Sequence, residues 1–373
     1  MKVKVVIGLI IAFLFLVVLV ALVLDKKFHI GFVWRSLLMR IKSQGPFPYE
    51  EVRKDLLPTA VCVDLGAFPK PLPNLLGIQT VVLMEDRSPV FFLSYDGYRP
   101  DEKVPLNRHG GPANDYKTQQ DLKKLVQELH KQERKVLIGF WGFWADGLSR
   151  PSKWLEDHPE LAPRRWDESD IGNPFAVLNR EGISFAEYIA NQYKKLYQDF
   201  GFDGLFLGDG LSGFRSFMNP ERYRYKSGCA SKWADFYRSI IQTVHETEGE
   251  LWAYDCMGFS ALGALAHGVD YNLLAKAGLD VLVFQTYPTA WAKYFKVPGK
   301  TGLYQDIHNF VCVRRGFSWP NSIRLYYTLE MGDCREGWWP TWEDTQDQMR
   351  EFQKHADGKF LVWANETIAN LGR

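Results

Sequence analysis

Eight short apolar segments, separated by stretches of helical periodicity, constrain the fold of this 373-residue chain more than any other feature. They are predicted strands at 60–63, 80–84, 135–141, 204–207, 250–254, 281–285, 323–329 and 359–363, with one further apolar run at 90–93. Before the third strand, apolar residues recur at the i, i+3, i+4, i+7 spacing of an amphipathic helix: Leu122, Leu125, Val126 and Leu129. Alternating strands and helices of this kind predict a parallel sheet covered by helices.

The number and spacing of these units favour a closed barrel. Eight units over roughly 310 residues fit a (β/α)8 TIM barrel with insertions, and a doubly wound open sheet is the alternative. We favour the barrel because polar and aromatic residues follow the carboxyl ends of nearly all the predicted strands. Two further helices are predicted, one opened by a capping box at 184–187 and one with an apolar stripe over 233–244.

The run Val5–Leu24 contains no charged residue and no hydroxyl. At about 1.5 Å per residue it is long enough to span a bilayer as a helix. Since no small-residue cleavage site follows it, we expect an uncleaved transmembrane anchor. The sequence therefore predicts four parts: an N-terminal flank (1–4), the anchor (5–24), a basic juxtamembrane segment and linker (25–58), and the barrel domain (59–373).

Charge and short motifs exclude several classes of function. The 45 Lys and Arg residues nearly balance the 44 Asp and Glu residues, a net charge of +1 that argues against a nucleic-acid partner. The G-x-G-x-x-G match at 208–213 is not followed by a helical pattern, and neither a phosphate loop nor an H-E-x-x-H motif is present. The five cysteines show no C-x-x-C spacing. We expect no metal site and no cofactor.

Carboxylates and aromatic rings follow the predicted strands, where a barrel builds its active site. Glycoside hydrolysis needs two carboxylates, and aromatic rings pack against the apolar faces of sugars. Three residues are candidates for catalysis: Asp209, Asp255 and Glu330. The following residues are candidates for substrate binding: Asp64, Tyr95, Asp96, Trp141, Trp144, Asp146, Tyr254, Gln285, Tyr287, Trp291, Trp363 and Glu366.

The segment 200–210 reads Phe-Gly-Phe-Asp-Gly-Leu-Phe-Leu-Gly-Asp-Gly. Alternation puts Leu205, Leu207 and Asp209 on one strand face and Phe206 on the other, and we expect the first set to face inward. Asp203 is expected to cap the start of the strand. The segment resembles the fourth strand of barrel glycoside hydrolases, as in retaining α-glycosidases of the α-amylase, dextranase and α-galactosidase type. That resemblance implies a glycosidase with Asp209 as the nucleophile at the strand tip.

The proton donor stays open between two residues. In the amylase and dextranase types the resemblance implies a Glu after the fifth strand, where this chain has Asp255. In the α-galactosidase type it implies an Asp after the sixth strand, where this chain has Gln285 and no carboxylate. Glu330 at the end of the seventh strand is the other candidate. Alternation does not decide which faces of the fifth and seventh strands point inward.

The sequence thus predicts a membrane-anchored glycoside hydrolase of the retaining type, with an oligo- or polysaccharide as its partner. A glycan-binding protein without catalysis is the alternative, because the Glu after the fifth strand is missing, and a membrane-tethered scaffold is a third. The basic residues after the span favour a cytoplasmic barrel by the positive-inside rule. A polymeric substrate favours the extracellular side, which we adopt. The sequence does not indicate an oligomeric state.

Overall fold

The computed structural model describes residues 58–64, 75, 77–84, 119–141, 185–208, 229–255, 271–285, 323–330, 342–355 and 359–363. Eight parallel strands close into a barrel in chain order, so the predicted barrel is confirmed and the open sheet is wrong. The strands are β1 (Ala60–Asp64), β2 (Thr80–Met84), β3 (Lys135–Trp141), β4 (Gly204–Gly208), β5 (Glu250–Asp255), β6 (Val281–Gln285), β7 (Arg324–Glu330) and β8 (Lys359–Trp363).

Five helices belong to the same part of the chain: α1 (Gln119–Lys131), α2 (Phe185–Phe200), α3 (Cys229–His245), α4 (Tyr271–Ala277) and α5 (Trp342–His355). The predicted stripe of α1 is confirmed, since Leu122, Leu125, Val126 and Leu129 are all fully buried. Within these ranges no helix is long and apolar enough to cross a membrane. The predicted anchor Val5–Leu24 and the apolar run at 90–93 lie outside the described residues.

Each strand buries one face against the helices and the other inside the barrel. The inner core consists of strand residues alone: Ala60, Cys62, Val82, Met84, Leu137, Phe206, Trp252, Tyr254, Val281, Val283, Tyr326 and Leu361. The outer core joins the other strand faces to the helices, as where the ring centroids of Tyr327 and Phe352 lie 4.7 Å apart. Parallel strands buried on both faces are typical of helix-covered barrels.

The predicted orientation of β4 is wrong. Leu205 and Leu207 belong to the outer core and pack toward the helices, whereas Phe206 belongs to the inner core. The reason is physical: because both faces of the strand are buried, leucine and phenylalanine are equally acceptable on either. The apolar character of Leu205 and Leu207 therefore carried no information about which face is the interior.

The Gly-Phe-Asp-Gly motif of 201–204 builds the start of β4. Gly201 has φ 76°, the left-handed conformation that ends a helix and favours glycine. Gly204 has no room for a side chain, because a Cβ there would lie 2.2 Å from the carbonyl oxygen of Glu250 and 2.8 Å from Leu137. The motif thus lies at the amino-terminal end of the barrel, opposite the carboxyl ends of the strands.

Asp203 caps this strand start, as predicted. Its carboxylate accepts a hydrogen bond from the backbone N–H of Val136 at 2.7 Å, and the same oxygen lies 2.9 Å from Nε2 of His130 at the end of α1. Asp203 also donates its own N–H to the carbonyl of Val136 and accepts the N–H of Glu250. One residue therefore connects α1, β3, β4 and β5.

The same arrangement recurs one βαβ unit later. The carboxylate of Asp280 accepts the N–H of Leu251 at 2.8 Å, and the same oxygen lies 2.9 Å from Nε2 of His245. We call the groups around Asp203 and Asp280 the two Asp–His clasps. In both units the residue three positions after the histidine, Glu133 or Glu248, has φ 58°. The clasps give the starts of β3 to β6 a common geometry.

Glu250 lies at the amino-terminal end of the barrel, where its side chain joins alternate strands. Its carboxylate pairs with Lys135 of β3, with Arg324 of β7 at 2.7 Å, and with the indole N–H of Trp252 at 3.0 Å. Burial alone would raise the pKa of Glu250, but these hydrogen bonds outweigh burial and lower the pKa from 4.5 to about 2. We call these four residues the Glu250 network.

The two motif glycines should respond differently to alanine. Gly204→Ala places a methyl group against a backbone carbonyl that cannot move away, so we expect a loss of about 3 kcal/mol in the free energy of unfolding. Gly201→Ala meets no atom within 4 Å and suffers only from its positive φ, so we expect about 1 kcal/mol. Urea unfolding followed by circular dichroism measures both. Equal losses would contradict the steric argument.

Glu250→Gln should destabilise the barrel by about 2–3 kcal/mol at pH 7, because Lys135 and Arg324 lose their carboxylate. The folded pKa of Glu250 lies below its ordinary value, so the carboxylate stabilises the fold fully above pH 4.5 and loses its effect as the pH falls toward 2. Urea midpoints of wild type and variant should therefore converge on acidification. A difference that widened toward pH 3 would contradict this account.

Candidate active site

The carboxyl ends of the strands form the rim where the sequence predicts a binding cleft. Strand alternation divides the rim into positions that continue the inner core and positions that continue the outer core. Six of the predicted site residues occupy inward positions at or near strand ends: Asp64, Trp141, Tyr254, Gln285, Glu330 and Trp363. Among the residues described, Asp64 and Glu330 are the carboxylates in this inward series.

Strand register supports these assignments, because paired residues of a parallel sheet share a face. Trp363 pairs with Cys62 of the inner core on one side and with Glu330 on the other. Asp64 pairs with Met84, a further inner-core residue. The backbone thus brings Glu330, Trp363 and Asp64 together on three neighbouring strands, β7, β8 and β1.

Asp255 occupies an outward position. It follows Leu251 and Ala253 in the outer series of β5, and it pairs with Phe284, whose ring packs edge-on against Tyr271 of α4 at 5.8 Å. The inward residue at this end of β5 is Tyr254. The structure therefore separates the two candidate proton donors, which the sequence left equivalent.

At the tip of β4 the inward position belongs to Gly208, which pairs with Trp141. Asp209 follows directly and lies outside the described residues, as do the predicted site residues Tyr95, Asp96, Trp144, Asp146, Tyr287, Trp291 and Glu366. Because Leu205 and Leu207 pack toward the helices, strand alternation does not support the prediction that Asp209 faces inward.

Buried aromatic rings form the floor beneath the rim. Trp252 and Tyr326 lie 4.7 Å apart between ring centroids, and Phe206 and Tyr254 lie 5.9 Å apart. Burial raises the pKa of Tyr326 above its ordinary value of 10, so its phenol stays neutral across the physiological range. Tyr254 is only 1% exposed. It is thus part of this floor and supports the rim from below.

Three floor residues are not among the predicted binding residues: Trp252, Tyr326 and Thr328. Thr328 is fully buried in β7, where its hydroxyl donates to the carbonyl of Phe284 at 2.7 Å and fixes β7 against β6. Trp252 lies two residues before Tyr254, and Tyr326 lies two residues before Thr328, so each pair is on the same face of its strand. Strand alternation would therefore have identified these residues as inward once one inward residue of β5 and of β7 was known.

Comparison with known proteins places the fold. No protein-family model matches the chain, and no curated protein matches it. The PgaB (BpsB) glycoside hydrolase domain from Bordetella bronchiseptica matches in structure with 13% identity and a TM-score of 0.53, over 85% of this chain and 96% of that domain. Aspergillus fumigatus Ega3, in complex with galactosamine, matches with 11% identity and a TM-score of 0.43, over 87% and 98%.

An exo-beta-1,4-mannosidase from Opitutaceae bacterium strain TAV5 also matches, with 14% identity and a TM-score of 0.44, over 86% of this chain and 54% of that one. Two of these three TM-scores lie below 0.5, so the likeness rests on the PgaB domain. At 13% identity, that match shows that this chain and the PgaB domain share their fold.

Proposed function

We propose that this chain is a glycoside hydrolase that acts on an oligo- or polysaccharide through two carboxylates. One observation carries the proposal: inward rim positions hold carboxylates or aromatic residues on four strands of a closed barrel, at Asp64, Trp141, Glu330 and Trp363. This combination is suited to sugars, because aromatic rings pack on their C–H faces while carboxylates bind hydroxyls and transfer protons. The PgaB domain, a glycoside hydrolase domain by name, supports the proposal through its shared fold.

In the proposed reaction, one carboxylic acid protonates the oxygen of the scissile bond while the second carboxylate attacks the anomeric carbon. Asp209 is the proposed nucleophile, on the resemblance of its segment to retaining α-glycosidases and on its position beyond Gly208. Asp255 and Glu330 are the candidate acids. Water then releases the sugar with the same acid group acting as a base, which gives retention of configuration.

A second candidate function is glycan binding without catalysis. It is favoured by the inward residue at the end of β5, which is Tyr254 and not a carboxylate. The barrel would then keep an aromatic cleft and lack the acid that amylase-type enzymes have on this strand. Binding of a glycan by the wild-type chain, without release of reducing ends, would select this function.

Asp209→Asn should abolish turnover if Asp209 is the nucleophile. We expect kcat to fall by at least about 1,000-fold on any glycoside that the wild type cleaves, because an amide cannot form the glycosyl intermediate. The measurement is release of nitrophenol or of reducing sugar, across nitrophenyl hexosides and hexosaminides of both anomers. Glu128→Gln on the exposed face of α1 is the matched control and should keep wild-type rates. Full activity in Asp209→Asn would contradict the assignment.

We also propose that Val5–Leu24 anchors the chain in a membrane with the barrel on the extracellular side, where polymeric glycans lie. The support is the length and apolar character of this run.

Deleting residues 1–24 should therefore release the barrel from the membrane. We expect the full chain to stay with the membrane pellet after alkaline carbonate washing, and the shortened chain to appear in the supernatant. Protease treatment of intact cells tests the orientation and should digest the barrel. Protection of the barrel in intact cells, with digestion after lysis, would reverse the orientation.

A further inference from the structure

We infer that Glu330 is the proton donor of this barrel and that Asp255 is not. The inference rests on the proposed glycosidase function and chooses between the two candidates that the function leaves open. It is argued from the alternation and register of β5 and β7, both of which the structure describes to their last residue.

Position 330 continues the inward series of β7. Tyr326 of this series packs against Trp252 inside the barrel, while Tyr327 of the alternate series packs against Phe352 of α5 at 4.7 Å. Thr328 lies between Tyr326 and position 330 in the inward series and is fully buried. Since successive strand residues alternate between faces, Glu330 occupies the next inward position, at the rim.

The neighbouring strand gives the same assignment independently. Leu361 of β8 belongs to the inner core and pairs with Thr328, and Trp363 two residues later pairs with Glu330. Trp363 also pairs with Cys62, an inner-core residue of β1. The pairing of β8 with β7 and its pairing with β1 therefore both assign positions 330 and 363 to the inward series.

Position 255 continues the outward series of β5. Trp252 and Tyr254 are inner-core residues, whereas Leu251 and Ala253 belong to the outer core. Asp255 follows Ala253 in the outer series and pairs with Phe284, which contacts Tyr271 of α4. Strand alternation therefore assigns position 255 to the face of β5 that packs toward the helices.

The position of β7 also suits the chemistry. A proton donor and a nucleophile must flank the scissile bond from two sides. In the closed barrel β5 and β6 separate β4 from β7, so the strand that precedes Asp209 and the strand that ends at Glu330 lie on different sides of the mouth. The floor beneath position 330, formed by Tyr326 and Thr328, is buried.

In the proposed reaction, the carboxylic acid of Glu330 gives its proton to the glycosidic oxygen as the bond from that oxygen to the anomeric carbon breaks. The carboxylate of Asp209 forms a bond to the same carbon, and the alcohol leaves. The Glu330 carboxylate then takes a proton from water, whose oxygen displaces Asp209, so that both groups return to their starting states.

Glu330→Gln and Asp255→Asn test the inference as an isosteric pair in the full-length chain, with Glu128→Gln as the surface control. Each is assayed on glycosides of one sugar with a poor leaving group, 4-nitrophenol, and a good one, 2,4-dinitrophenol, with and without azide. An acid that protonates the leaving group matters only for the poor leaving group. Once this residue is lost, azide can replace water as the nucleophile on the intermediate, because azide needs no general base.

For Glu330→Gln we expect kcat/KM to fall about 100- to 10,000-fold with the poor leaving group and less than about tenfold with the good one. Azide should restore turnover of the good leaving group and yield a glycosyl azide. Asp255→Asn should keep the wild-type ratio between the two leaving groups. The reverse pattern, with leaving-group dependence and azide rescue in Asp255→Asn alone, would overturn the inference.

Circular dichroism and thermal melting of each variant separate misfolding from lost chemistry. If Glu330→Gln does not fold, Glu330→Asp takes its place, and its shortened acid should lose rate on the poor leaving group while keeping the alkaline limb of the pH profile. An unchanged leaving-group ratio in a folded Glu330 variant overturns the inference while the proposed function stands. A wild-type chain that cleaves no glycoside or glycan overturns the proposed function and this inference together.

Discussion

Burial of both faces of every strand is the constraint on which this barrel depends. The inner face must fill the barrel with side chains such as Phe206, Trp252 and Tyr326, and the outer face must pack against helices. A strand of five to seven residues satisfies both requirements only if nearly all its residues are apolar. The charged residues of the described strands therefore lie at strand ends, where the alternation of inward and outward positions decides which of them belong to the interior face.

The two ends have different tasks. At the amino-terminal end, the Asp–His clasps accept backbone N–H groups of β3 and β5, and the Glu250 network joins β3, β5 and β7 through side chains. At the carboxyl end, Glu330, Trp363 and Asp64 occupy inward positions on neighbouring strands. The Gly-Phe-Asp-Gly motif belongs to the first end. Its likeness to glycosidases therefore concerns how a fourth strand begins.

Strand positions could be predicted from the sequence because apolar runs bounded by polar residues and glycines mark the barrel strands directly. The limits of β2, β3, β6 and β8 match the predicted segments, and the others differ by one residue. Inward and outward faces could not be predicted, since the two sides of a strand such as 204–208 are equally apolar. The predicted orientation of β4 was wrong for this reason. The inference that Glu330 and not Asp255 is the acid needed the register of the neighbouring strands.

The Asp–His clasps have a consequence for how such a protein can change over evolutionary time. Each clasp is formed by residues before or at the start of its strands, such as His130, Val136 and Asp203, and includes no residue from the loops after the strands. Mutations and insertions in those loops leave the clasps in place. A lineage that keeps the clasps can therefore exchange rim loops and acquire new binding specificities while the barrel remains the same.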